Sequence, residues 1–94
     1  MFFVLLTYQV PLDRIDALLT AHYAHVDRYF ANGTFVLAAR RQPRTGGAFL
    51  ARGVNREELE AILAEDPFIS SGAATCELFE LQPTRSALAE IAVP

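Results

Sequence analysis

The chain has 94 residues, of which 52% are hydrophobic and 20% charged, a composition typical of a globular protein rather than a disordered one. This length suffices for one hydrophobic core, and we expect residues 1–94 to form a single domain. The formal net charge of −3 disfavours nucleic-acid binding, which needs a basic face, and no apolar run is long enough for a membrane span.

The cysteine content and the first residues predict the compartment. The one cysteine, Cys76, has no partner for an internal disulfide, which is typical of a reducing environment. The apolar start, Met1 to Leu6, lacks a basic leader and a small-residue cleavage site, so it predicts a first strand rather than a signal peptide. We therefore expect a cytoplasmic protein.

The first half of the chain predicts a strand, a long helix and a second strand. Aromatic and β-branched residues fill positions 2–10, and Pro11 ends that strand. From Leu12 to Ala31 the apolar residues recur with helical periodicity. Asn32-Gly33 is a helix stop, since both residues tolerate the left-handed conformation at a C-cap. Positions 34–41 then predict the second strand.

The second half predicts a hairpin, a helix and a last strand. Residues 42–47 predict a turn rich in proline and glycine, and residues 48–53 the third strand. Asn55 caps a second helix, with Glu58 in the capping-box position. Residues 74–82 predict the fourth strand, and residues 86–92 a short terminal helix.

This order, β-α-β-β-α-β, predicts an α+β fold of the ferredoxin-like type, with a four-stranded antiparallel sheet and both helices on one face. The first strand is apolar on both sides, however, with Phe2 and Val4 pointing one way and Phe3 and Leu5 the other. A sheet face open to water would carry polar residues. We therefore expect a second copy of the sheet to cover that face in a homodimer.

The RNA-recognition domain has the same order of elements and is an alternative to this fold. Its central strands need exposed aromatic residues in a basic setting. The hairpin stretch TGGAFLARG offers one phenylalanine, and the chain is acidic. We expect no nucleic-acid partner.

Two histidines on the first helix are candidate functional residues. On a helical wheel His22 falls inside the apolar stripe, and His25 falls at its edge, where a side chain can be partly buried and still reach a pocket. An ordinary structural role at the helix surface or core border also explains both. Their i, i+3 spacing suits a metal pair, but no third ligand follows at a recognisable spacing. We expect no metal and no organic cofactor.

Asp66 stands where helix 2 ends, a position that disfavours negative charge. The pair Asp66-Pro67 predicts the start of a new helical turn, with aspartate as N-cap and proline at the first position. One carboxylate oxygen would remain free. Near His25, that oxygen could accept a hydrogen bond and orient the imidazole for general acid–base catalysis.

Three stretches together carry a family resemblance: AHVDRYFANGTFVLA, then EDPFISSG, then a strand ending in LQP. With them the chain resembles the YCII family of small ferredoxin-like proteins, which are similar to muconolactone isomerase and other dimeric α+β barrels. The resemblance implies a catalytic pair of His25 and Asp66. It also implies a cofactor-independent enzyme of the lyase or isomerase type, with similarity to a dehydrochlorinase, or alternatively a hydrolase.

The chain departs from the family pattern at two places around the expected pocket. Family members often carry an arginine three residues before the histidine, where this chain has His22. They tend to have Gly-Pro after the second strand, where this chain has Ala39-Arg40. Both departures indicate an unusual substrate.

Further polar residues are candidates for substrate binding. Arg40, Arg41 and Arg44 cluster near the hairpin and could attract an anion, although a solvated loop also explains them. Ser70 and Ser71 follow Asp66 closely and could hydrogen-bond a ligand, or simply belong to a capped turn. The substrate-binding set is His22, Arg40, Ser70 and Ser71.

The alternative function is a non-catalytic dimeric module that binds a metabolite or assists a larger enzyme. A cavity that reaches His25 would favour catalysis. A filled seam, with His25 bonded to a backbone carbonyl, would favour the module.

Overall fold

The computed structural model describes all 94 residues. Four strands form one antiparallel sheet in the order β2-β3-β1-β4, which confirms the predicted ferredoxin-like α+β architecture. None of the helices combines the length and hydrophobicity that a membrane span requires. The elements, in chain order, are β1 (Phe2–Tyr8), α1 (Leu12–Ala31), β2 (Phe35–Arg40), β3 (Gly46–Ala51), α2 (Arg56–Ala64), α3 (Pro67–Ser70) and β4 (Ala74–Glu80).

The register of the sheet determines which side chains meet the helices. Val4 of β1 pairs with Phe49 of β3 and Leu78 of β4, so all three point to the same side. The helices cover this inner face, and large apolar side chains from sheet and helices are fully buried between them. Each contributes about 1.5–3 kcal/mol by leaving water. The fully buried large apolar residues are Val4, Leu6, Ile15, Phe35, Leu59, Leu63 and Phe68.

Helix α1 packs more of its polar residues inward than a simple apolar stripe requires. Its buried residues include His22 and His25 besides Ile15, Val26 and Tyr29. Two of the apolar residues that recur along α1, Leu12 and Phe30, are 42% and 40% exposed, because they lie at the two ends of the helix. The centre of α1 therefore presents two imidazoles to the interior.

The β2–β3 hairpin begins its second strand two residues earlier than predicted. Gly46 and Gly47, assigned above to the turn, pair with Thr7 and Leu6 of β1. At Gly46 a Cβ atom would lie 1.9 Å from the backbone oxygen of Leu6, so only glycine permits this approach. The close approach lengthens β3 and brings its start against β1.

Two caps define the second half of the chain. Asn55 accepts a hydrogen bond from the Glu58 amide and donates its own amide to the Glu58 side chain, which confirms the predicted capping box. The Asp66 side chain accepts from the Phe68 amide, with Pro67 at the first helical position. The predicted new turn is thus the short helix α3.

The predicted C-terminal helix over residues 86–92 is wrong, since no helix forms there. The Leu88 amide bonds to the Ser86 hydroxyl, and a single turn-like bond joins Ile91 to Leu88. One such turn is too short to propagate, and the exposed Leu88 has no apolar surface to pack on.

The outer face of the sheet carries a patch of apolar side chains that nothing in the chain covers. Phe3 pairs with Leu50 on one side and Phe79 on the other, and Leu50 pairs in turn with Leu37. Leu37 and Phe79 are 46% and 45% exposed. We refer to Phe3, Leu37, Leu50 and Phe79 as the outer patch. A row of four large apolar residues across three strand pairings is unusual for a surface in water.

Candidate active site

A cavity of about 460 Å³ lies between α1 and the inner face of the sheet, beside the β2–β3 hairpin. Two small residues on the inner face of the sheet, Ala38 and Gly47, line its floor. Its volume is in the range of ordinary small-molecule sites. The lining residues are mostly apolar: Leu6, Tyr8, Leu19, His22, Tyr23, Val26, Ala38, Ala39, Arg40, Gln42, Gly46, Gly47, Phe49 and Phe68.

His22 lines this cavity, and its ring is held on two sides. The ring stacks on Phe68 with centroids 3.9 Å apart and planes 10° from parallel. Its Nδ1 atom lies 2.9 and 3.0 Å from the two carboxylate oxygens of Asp66. Because a carboxylate only accepts, Nδ1 carries the proton and donates it. Both hydrogen bonds of the His22 side chain run from Nδ1, so Nε2 is the ring nitrogen left for a molecule in the cavity.

Asp66 is completely buried, and its environment accounts for a carboxylate in the interior. Besides His22, the carboxylate accepts from the Phe68 amide at 2.9 Å. The Asp66 amide donates to the Leu63 carbonyl, and the Asp66 carbonyl accepts from Ile69. A buried carboxylate is tolerated only with such donors around it. The cap of α3 therefore also serves as an orienting group for an imidazole.

His25 does not form the predicted hydrogen bond with Asp66. Its Nδ1 lies 4.0 Å from the nearer carboxylate oxygen, beyond hydrogen-bond range. Its Nε2 donates instead to the Ile62 carbonyl at 2.8 Å. The wheel position at the edge of the stripe directs His25 toward the end of α2 rather than toward the cavity, which it does not line. Asp66 is thus paired with His22, and whether either histidine is catalytic stays a prediction.

Glu65, the other acidic residue at the end of α2, takes part in a separate hydrogen-bond network. Glu65 accepts a hydrogen bond of 2.6 Å from the Tyr29 hydroxyl, and Arg28 lies 3.9 Å away. The bond to Glu65 and, secondarily, burial raise the pKa of Tyr29. The Tyr29 ring lies 5.0 Å from that of His25, so this network closes the His25 side of Asp66 with protein atoms.

The three hairpin arginines have different surroundings. Arg41 donates to the Thr7 hydroxyl at 3.0 Å, and Arg44 pairs with Asp16. The hydrogen bond from Arg44 lowers the pKa of that aspartate. Arg40 lines the cavity, and its one side-chain hydrogen bond is a long one of 3.4 Å to the Tyr23 hydroxyl. Of the three hairpin arginines, Arg40 alone lines the cavity.

The structure does not bring the two serines to the cavity. Ser70 is exposed, and Ser71 accepts a weak bond from the Ala73 amide in the turn after α3. Cys76 is half-buried in β4, and burial raises the pKa of its thiol. The structure contains no cluster of three metal-ligating side chains, and the absence of a metal stays an expectation.

Sequence reasoning missed Tyr23, Phe49, Gly47 and the cavity role of Phe68. Phe49 and Gly47 lie two apart on β3 and share its inner face, a signal that the correct strand start would have provided. The pairing of His22 with Asp66 had a signal too, since the wheel placed His22 inside the stripe that faces the interior.

Fold and site together define a ferredoxin-like domain with a His–Asp pair beside a mostly apolar cavity. A model of the YCII-related domain matches residues 1–82, and the chain belongs to this family. No curated protein sequence matches the chain.

Among solved structures, the fold is similar to that of 5-chloro-2-hydroxyhydroquinone dehydrochlorinase (TftG) from Burkholderia phenoliruptrix AC1100, in complex with 2,5-dihydroxybenzoquinone. The TM-score is 0.68, and the match covers 86% of this chain and 93% of that one. At 18% identity this similarity establishes the fold.

Proposed function

We propose that this protein is a cofactor-independent small-molecule enzyme of the lyase or isomerase type, with His22 as the proton-transfer residue and Asp66 as its positioning residue. The observation that carries this proposal is the Asp66–His22 hydrogen bond at the wall of the cavity. It holds the proton on Nδ1 and leaves Nε2 free beside the cavity.

The chemistry follows from the tautomer. In neutral His22 the free Nε2 carries a lone pair, which can take a proton from an acidic C–H or O–H of a bound molecule. The resulting imidazolium is stabilised by the Asp66 carboxylate. In an isomerisation Nε2 would return that proton to another atom of the same molecule. In an elimination, a leaving group would depart with the bonding electron pair as the proton is taken.

The structural neighbour supports this reaction class. That protein is a dehydrochlorinase, and its bound molecule is a small quinone. The cavity here has a suitable size and aromatic walls for a ring of that kind. The role assigned to His25 by the family resemblance passes to His22 in this proposal. His25 would instead hold the end of α2 through the Ile62 carbonyl.

Proton abstraction can be tested without knowing the natural substrate. A panel of cyclic enols, hydroxyquinones and lactones, including 2,5-dihydroxybenzoquinone, would be incubated with the protein in D₂O. Nuclear magnetic resonance would then follow both product formation and C–H to C–D exchange. We expect exchange or turnover with at least one compound, and a loss of about 10³-fold or more in His22→Gln.

The matched variant is His25→Gln, three residues away on the same helix. It should keep activity within about tenfold of the wild type, because His25 does not line the cavity. Equal losses in the two variants, or no exchange with any compound at all, would contradict the proposed role of His22.

We also propose a homodimer formed through the outer patch, since burying its four apolar side chains against a second sheet removes them from water. Leu37→Glu would place a charge in that interface. We expect light scattering coupled to gel filtration to give a dimer for the wild type and a monomer for Leu37→Glu. The control is Leu88→Glu, at a residue that is 59% exposed outside the patch. A monomeric wild type would refute the dimer.

One observation favours the alternative, a non-catalytic ligand-binding module. His25 is bonded to a backbone carbonyl, the arrangement that the sequence argument assigned to such a module. The two functions differ in the exchange experiment. A module would bind members of the panel without exchanging or converting them.

A further inference from the structure

The hairpin arginines indicate which molecules the cavity selects. Arg41 is occupied by the Leu6 carbonyl and the Thr7 hydroxyl, and Arg44 by Asp16. Arg40 makes no direct ion pair, although its charge lies near enough to Asp16 to help lower the pKa of that carboxyl, after the larger effect of Arg44. A guanidinium at the wall of a cavity that makes no direct contact with a carboxylate can bind an anion.

The hydroxyl of Tyr23 adds a second donor at the same place. The Arg40 guanidinium donates to the Tyr23 oxygen at 3.4 Å, so the hydroxyl hydrogen of Tyr23 points elsewhere. Both residues line the cavity, as does Gln42. Three residues with neutral or cationic donor groups therefore line its hairpin side, and no acidic residue lines the cavity.

The rest of the cavity suits a flat ring. His22 lies parallel on Phe68, and its ring centroid is 5.6 Å from Tyr23 and 6.4 Å from Phe49. Aromatic rings that line a cavity can contact another flat π-system by stacking or by their edges. The Ala38 and Gly47 floor leaves space that larger side chains would fill.

We infer that the cavity binds a small aromatic or similarly flat ring that carries a carboxylate, with the carboxylate on Arg40 and Tyr23 and the ring beside His22. The inference rests on the proposed function in one respect, namely that the same cavity holds the reacting molecule. It adds the class of substrate, a ring acid, and makes Arg40 the residue that selects it.

Benzoate, benzamide and acetate are the probes that separate the two halves of this inference. Benzamide has the shape of benzoate without its charge, and acetate has the charge without the ring. Titration followed by ¹H–¹⁵N spectra should give benzoate a dissociation constant at least about tenfold lower than that of either probe. Added salt should weaken benzoate binding and leave benzamide unchanged.

Variants then locate the preference. Arg40→Gln should bring benzoate within about twofold of benzamide, and Tyr23→Phe should weaken benzoate by a smaller factor. The matched control is Arg85→Gln, since Arg85 is exposed and contacts only the neighbouring Thr84 carbonyl. It should bind benzoate like the wild type. The inference is overturned if benzamide or acetate matches benzoate, or if Arg40→Gln retains the preference.

This experiment measures binding, so its result does not depend on whether the protein catalyses a reaction. A wild type that prefers benzoate but exchanges no protons would refute the proposed enzymatic function and support this inference. A wild type that catalyses exchange in neutral rings but does not bind benzoate would support the enzymatic function and refute this inference.

Discussion

The two sides of Asp66 carry the same functional group in different surroundings. His22 and His25 are one turn apart on α1, and both are 9% exposed. On one side the imidazole bonds to the carboxylate and lines a cavity. On the other side it bonds to the Ile62 carbonyl beneath Tyr29, without reaching the cavity. Burial and residue type therefore do not separate a candidate base from a packing residue.

The two histidines differ in which ring nitrogen has no hydrogen-bond partner and in whether the residue lines the cavity. In His22, which lines the cavity, the hydrogen bonds use Nδ1 and leave Nε2 without a protein partner. The free atom of His25 is Nδ1, which is buried without a partner and lies 4.0 Å from Asp66. A base must meet its substrate, so only the first arrangement suits proton transfer. Five substitutions, with one control variant, test this contrast, from the largest expected effect on stability to the smallest.

Asp66→Ala removes the group that the two sides share. We expect a loss of about 3 kcal/mol, because α3 loses its cap and the His22 Nδ1–H and Phe68 amide lose their acceptor. Urea unfolding at one fixed protein concentration measures it. Asp66→Asn is the control, since asparagine also caps and accepts, and it should lose about half as much. An Asp66→Ala variant as stable as the wild type would mean that the α3 cap and the hydrogen bonds to Asp66 do not stabilise the fold.

His25→Ala and His22→Ala should differ in how much they reduce the stability of the fold. We expect His25→Ala to cost about 2–3 kcal/mol, because it leaves the Ile62 carbonyl unpaired and opens a void beside Phe35. His22→Ala should cost about 1 kcal/mol less, since water from the adjoining cavity can replace the donor that the Asp66 carboxylate loses. The same urea unfolding measurement compares them. The reverse order would identify His22 as the packing residue.

Tyr29→Phe tests the closed side alone. Its hydroxyl bonds to Glu65, whose side chain is 48% exposed, so we expect a loss of about 0.5–1 kcal/mol. Because the folded pKa of Tyr29 is raised, this stabilisation is present below about pH 10 and disappears as the pH rises through the raised value. Melting curves of both proteins at pH 8 and pH 11 should show the difference shrink. A difference that grows with pH would contradict the Tyr29–Glu65 bond.

Ser70→Ala should have the smallest effect. Ser70 is exposed and lies outside the cavity lining, so we expect a stability change within about 0.5 kcal/mol and unchanged benzoate binding. Melting temperature and the benzoate titration check both. A clear loss of benzoate binding would restore Ser70 as a substrate contact.

Prediction from sequence succeeded where a local pattern carries the information. The period of α1, the capping box at Asn55 and the cap at Asp66 each depend on residues within a few positions of one another. It failed at the start of β3, because the approach of Gly46 to Leu6 is a contact between distant segments. It failed again at residues 86–92, where helical residues had no surface to pack on.

Reading the residues alone was enough for the family, the order of the elements and the two candidate groups, an imidazole on α1 and a carboxylate after α2. Only the tertiary structure shows which histidine bonds to Asp66, because His22 and Asp66 are 44 residues apart in the sequence. Helical periodicity specifies the direction of a side chain to within a sector of the wheel. Which of two histidines one turn apart reaches a hydrogen bond of 2.9 Å depends on how α1 packs against α3, and that packing involves the whole core.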